Sequence, residues 1–156
     1  MPKARSRTSR SRADDRYLDF IKTVHLSGSG IDKSKFSIDR RKFAAEISGD
    51  ERASAEISGR HEVVDQDANS FVVLGHYTIL MKGKSGTQFA ELECTLSALF
   101  SLDENSDKTF IERFAENETR LVFWPNLRHY VADSTYRMGI SPMLLPLTSE
   151  VTPPRD

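Results

Sequence analysis

Cysteine is nearly absent from this sequence: Cys94 is the only one among 156 residues. One thiol excludes an intramolecular disulfide and suits a reducing cytosol. No stretch approaches the roughly 18 uninterrupted apolar residues of a membrane-spanning helix. The basic start is not followed by the apolar core of a signal peptide. Both absences place the chain in the cytoplasm, without a membrane span.

The motifs of cofactor and nucleophile chemistry are missing as well. There is no CxxC, HExxH, GxGxxG, P-loop or GxSxG pattern. His25, His61, His76 and His129 are scattered, with no cysteine or carboxylate at metal-ligand spacing. No metal, cofactor or catalytic site is expected, and the chain reads as a non-enzyme. Two constellations bear on this. His76 and Cys94 fall on neighbouring expected strands and could meet as a dyad, but a lone cysteine on an apolar strand face usually packs. Glu91 and Glu93 share one strand face, which fits a solvated sheet surface or a patch that docks a partner better than an acid/base pair.

What the chain does have is an uneven charge. The formal net charge is −1. Residues 1–16 carry six basic side chains (Lys3, Arg5, Arg7, Arg10, Arg12 and Arg16) against Asp14 and Asp15, a net of +4, which leaves −5 for the rest. That arm has no aliphatic side chain larger than alanine after Met1, so it is expected to be a disordered basic tail. A transit peptide or a nucleic-acid-binding arm is the competing reading of such a segment. The acidic body, without interleaved aromatic and basic residues, argues against nucleic acid.

With 38% apolar and 29% charged residues, the chain suits one domain, taken as 17–148, with 149–156 as a short tail. Alternation from Tyr17 to Leu26 predicts a first strand ended by a Gly28-Ser29-Gly30 turn. Residues 31–67 stay ambiguous, with a faint strand over 53–64. The clearest strand covers 69–82: Phe71, Val73, Tyr77, Ile79 and Met81 line one face, and Val72, Leu74 and Leu80 the other. A turn at Gly83–Gly86 leads into a second strand over 87–102, completing an antiparallel hairpin.

The period then changes from two to helical. Asp107 is placed to cap a short helix whose Phe110 and Phe114 share a face. Phe123, Leu127, Tyr130, Val131 and Met138 recur at helical spacing. Pro125 sets that helix start near Trp124, and Gly139 and Pro142 set its end near Met138. Strands first and helices last predict an α+β fold. The apolar run Phe123-Trp124-Pro125, the Met143–Leu147 segment and the two-sided hairpin exceed what a small monomer covers easily. That surplus points to oligomerisation or to a groove for apolar ligands.

Residues 121–147, with Trp124-Pro125-Asn126-Leu127-Arg128-His129, resemble the Phe-Pro-Tyr-x-Arg-Glu helix of the SecB chaperone family, its closing glycine and its Pro-x-Leu-x-Leu segment. Residues 90–100 resemble the family strand that ends in a small-residue pair and Ile/Leu-Phe. The resemblance implies a four-stranded antiparallel sheet with C-terminal helices, assembled as a dimer of dimers. It implies an ATP-independent holdase for unfolded or extended polypeptides, as in preprotein export, with the SecA motor as a further partner. It places Leu92, Cys94, Leu96, Trp124, Tyr130, Met143 and Leu145 at a peptide-binding groove, and Glu91 and Glu93 on a sheet face that docks a partner. Two departures, His129 in place of the acid and no helix or acidic tail after residue 147, favour a divergent SecB-like chaperone, and a role dedicated to the antitoxin of a toxin–antitoxin pair, which some such members have, is the alternative to general export.

Overall fold

A computed structural model describes residues 12–47 and 53–147. The chain runs α1 (Arg12–Lys22), β1 (Val24–Ile38), α2 (Arg40–Glu46), β2 (Ser54–Gln66), β3 (Ser70–Lys82), β4 (Gln88–Leu102), α3 (Lys108–Asn117) and α4 (Arg120–Arg137). The strands form one antiparallel sheet in the order β1-β4-β3-β2. This is the α+β, four-stranded arrangement expected from the sequence.

The central hairpin follows from its pattern. Along β3 the odd-numbered residues from Phe71 to Met81 are buried and the even-numbered ones half-buried. Register pairs Phe71 with Phe100 and Tyr77 with Cys94, so odd residues of β3 and even residues of β4 share one face. Phe114 of α3 and Phe123 of α4 press onto that face: Phe114 packs edge-on to Phe71 and Phe100 at 5.8 and 5.1 Å. Gly75 lies directly beneath Phe123, where an added Cβ would stand 2.8 Å from the ring. Gly75→Ala is therefore expected to lower stability by about 1–3 kcal/mol through overpacking, read from a denaturant midpoint at unchanged slope.

Ends and turns are fixed by local hydrogen bonds. Asp107 caps α3 by accepting from the Thr109 amide at 3.0 Å. At the end of α4, Gly139 adopts φ +74°. The Ile140 amide bonds the Thr135 carbonyl and the Gly139 amide the Tyr136 carbonyl, a Schellman closure. The Gly83–Gly86 turn is secured from outside, because Glu46 of α2 accepts from the Ser85 amide and hydroxyl. Those bonds hold the Glu46 carboxyl below its usual range.

Four expectations need correction. Residues 17–22 belong to α1, not to a strand. Tyr17 and Phe20, three apart, are its buried pair, and Asp14 and Asp15 at one end with Lys22 at the other suit the helix dipole. The same helix takes in residues 12–16 of the arm expected to be disordered; residues 1–11 lie outside the described chain. Gly28-Ser29-Gly30 is no turn. It pairs with Leu99, Ala98 and Ser97 inside β1, an edge strand with register shifts between Leu26 and Gly28 and between Ile31 and Lys33. Finally, α4 begins at Arg120, four residues before the expected start. Pro125 sits within it on the exposed side, and the carbonyl it leaves without a helical donor belongs to solvent-facing Leu121. The expected tail, 149–156, falls outside the described residues.

Candidate peptide-binding surface

After Gly139 the chain turns back and runs extended along α4. Three side chains of that helix clamp this strap. The Thr135 hydroxyl accepts from the Met143 amide at 3.0 Å, Arg128 Nε donates to the Leu145 carbonyl at 2.9 Å, and Trp124 Nε1 donates to the Pro146 carbonyl at 2.9 Å. Residues 124, 128 and 135 fall on one helical face, so strap and helix run antiparallel. Pro142 and Pro146 lack amide hydrogens, and the strap forms no strand.

The clamp divides the strap's side chains. Leu145 is 3% exposed and Ile140 is buried, whereas Leu144 and Leu147 are 79% and 80% exposed. Leu121 and Tyr136 of α4 also face solvent. Asn126 of α4 reaches Ser29 of β1 at 3.4 Å, between Leu26 and Ile31, which are about half exposed at the sheet edge. The surface therefore carries several large apolar side chains that no other part of the described chain covers.

The residues assigned to the groove from the sequence are dispersed by this arrangement. Leu92, Cys94 and Leu96 lie in the core beneath the helices. Trp124 and Leu145 are also buried, and their polar and backbone atoms make the clamp. Tyr130 and Met143 are half-buried at its margin. The exposed members are instead Leu121, Leu144 and Leu147, which no sequence motif marks. Only the strap's hydrogen bonds decide which of its leucines turn outward.

Glu91 and Glu93 stand on the opposite face of the sheet, away from Phe114 and Phe123. Glu93 is flanked across the strands by Lys35 and Thr78, and the next row reads Lys33, Thr95, His76, Arg60. The face is thus mixed in charge. His76 bonds Thr95 and Glu62 there, and Glu62 also pairs with Arg60 at 2.8 Å. The His76–Cys94 dyad does not form, because Cys94 lies opposite Tyr77 on the helix-covered face. Burial pushes the Cys94 thiol up to about 12, which disfavours a thiolate.

One polar joint was not legible in the sequence. His61 of β2 is half-buried between the sheet and the α3–α4 corner. Its Nδ1 lies 2.9 Å from the Ala115 carbonyl and its Nε2 2.6 Å from the Tyr77 hydroxyl. A carbonyl only accepts, so Nδ1 carries the proton and Nε2 accepts from Tyr77. Thr119 is within 2.9 Å of the same Nδ1. Burial, the largest influence, holds the His61 pKa below its ordinary 6.5. In the unfolded chain His61 binds a proton more readily, so this stability is fully present above pH 6.5 and is lost as the pH falls through the folded pKa. The melting temperature should therefore drop between pH 7.5 and 5.5, and His61→Gln should remove part of that slope.

Among the described residues, no group of three His, Cys, Asp or Glu side chains could hold a metal ion, and no helix is long and apolar enough to cross a membrane.

The architecture is that of the SecB-like chaperone fold. The SecB-like chaperone of Mycobacterium tuberculosis, solved in complex with a ChAD peptide from the HigA1 antitoxin, superposes with a TM-score of 0.74 at 16% identity, covering 86% of this chain and 98% of that one. A Streptococcus agalactiae protein of unknown function matches with a TM-score of 0.46 at 5% identity, over 80% of this chain and 97% of that one. No protein-family model matches the chain, and no curated protein matches it in sequence.

Proposed function

We propose that this chain is an ATP-independent chaperone that holds apolar segments of unfolded or extended polypeptides. The observation that carries the reading is the clamped strap, which presents Leu144 and Leu147 to solvent on a SecB-like fold. A rigid backbone displaying flexible apolar side chains suits many sequences, since such side chains repack around different clients.

Two client classes fit: a broad set of preproteins awaiting export from the cytoplasm, and a single antitoxin. The antitoxin peptide bound by the mycobacterial neighbour favours the second. Further parts of this proposal are a dimer of dimers, a groove margin at Tyr130 and Met143, and partner docking, by SecA or another protein, on the Glu91/Glu93 face. The half-buried Val72 and Leu74 and the exposed Leu99 on that face supply apolar area for subunit contact.

The test is whether the chain, without nucleotide, delays aggregation of a chemically unfolded client. Failure with unfolded clients and with peptides spanning candidate antitoxins would sink the proposal. Tight binding of one antitoxin segment alone would assign the dedicated role. Light scattering that gives a monomer at micromolar concentration would remove the assembly from it.

A further inference from the structure

Helix α1 is held by a small footprint. Its buried side chains are Tyr17 and Phe20. They sit against Phe110 at ring separations of 5.9 and 5.7 Å, and Phe20 meets Phe114 at 6.1 Å. Arg113 lies over the Tyr17 ring at 4.0 Å and also pairs with Asp14 at 3.4 Å. The floor of this seat does not depend on α1: Phe71 stacks on Phe100 at 5.1 Å, and Phe114 covers both.

An isolated helix of 11 residues is marginal in water. Seating against α3 therefore supplies much of the stability of α1, while the sheet keeps its own core contacts beneath that seat. Thr23, alone between α1 and β1, closes the helix by bonding the Phe20 carbonyl through its amide and hydroxyl.

We propose that the aromatic seat beneath α1 is a second polypeptide-binding site, which α1 fills in cis. Its ligand is an amphipathic helical segment of a partner protein. That segment presents two aromatic or bulky apolar side chains three residues apart, with a carboxylate three residues before the first. The spacing is that of Asp14, Tyr17 and Phe20; the carboxylate answers Arg113, and the apolar pair answers Phe110 and Phe114. This seat is separate from the strap surface, so either site can fail without the other.

The test uses the full-length chain carrying Tyr17→Ser and Phe20→Ser, which vacates the seat, and a fluorescein-labelled peptide of residues 12–22. With the fold checked by circular dichroism, anisotropy should show the variant binding the peptide at least tenfold more tightly than the unaltered chain does. A control peptide with Phe20→Ser should not bind. No binding to a folded variant, or equal binding of the control, overturns the proposal. Hydrogen–deuterium exchange on the unaltered chain decides the matter even if the variant does not fold. Amides of residues 13–22 should exchange at least tenfold faster than those of β3 and β4, and equal protection overturns it.

Discussion

Replacing Leu144 and Leu147 together by aspartate is expected to weaken client binding about 100-fold while leaving the fold intact. Both side chains are about four-fifths exposed, so the free protein loses little. Surface changes away from packed features stay within about 0.5 kcal/mol. In a complex the same leucines would be covered, and each buried leucine contributes roughly 1.5 kcal/mol, about tenfold in affinity. Far-UV circular dichroism and melting should match the parent chain, while suppression of client aggregation falls. Unchanged suppression would move the client site elsewhere on the molecule. Leu145→Asp is the informative contrast. It places a charge at a buried position and should unfold the strap rather than only the interaction.

Phe123→Ala should give the largest loss of stability, about 3–5 kcal/mol. The ring is fully buried, lies over Gly75 and contacts His61 and Tyr77 at 5.4 and 6.5 Å. It is the point at which α4 bears on the sheet and closes one side of the His61 joint. For a chain of this size the loss corresponds to a fall in melting temperature on the order of 10 °C. Phe123→Leu should keep most of the volume and lose far less. Because α4 carries the clamp residues Trp124, Arg128 and Thr135, the alanine variant should also loosen the strap. A parallel fall in client holding at temperatures where the sheet survives would show that coupling.

The sequence made the hairpin legible because β3 and β4 alternate over long runs, and no other period fits residues 69–102. Asp107 and Gly139 were equally clear, since each stands where a helical period begins or ends and supplies the cap that such an end needs. β1 was obscured by composition: two glycines and two serines at residues 27–30 read as a turn, yet an edge strand tolerates them where nothing packs overhead. β2 was faint because its inward positions include Ala55, Gly59 and His61, leaving Ile57 and Val63 to carry the period. α1 was misread because Leu18 and Phe20 fit a two-residue repeat over a window too short to expose the three-residue spacing of Tyr17 and Phe20. The surface was the least legible part. Whether Leu144 or Leu145 turns outward depends on hydrogen bonds from residues 124, 128 and 135, and no local pattern encodes them.

The two register shifts in β1 interrupt the exposed edge of the sheet. A straight 15-residue edge would offer a long row of free amides and carbonyls on which a captive polypeptide could add strand upon strand. The bulges at Ser27 and Asp32 divide that row into runs of three, four and six residues, and Lys33 and Lys35 add charge to the last of them. Such an edge is a poor seed for amyloid-like growth, and under the proposed function a client would be kept extended without being templated into a fibre.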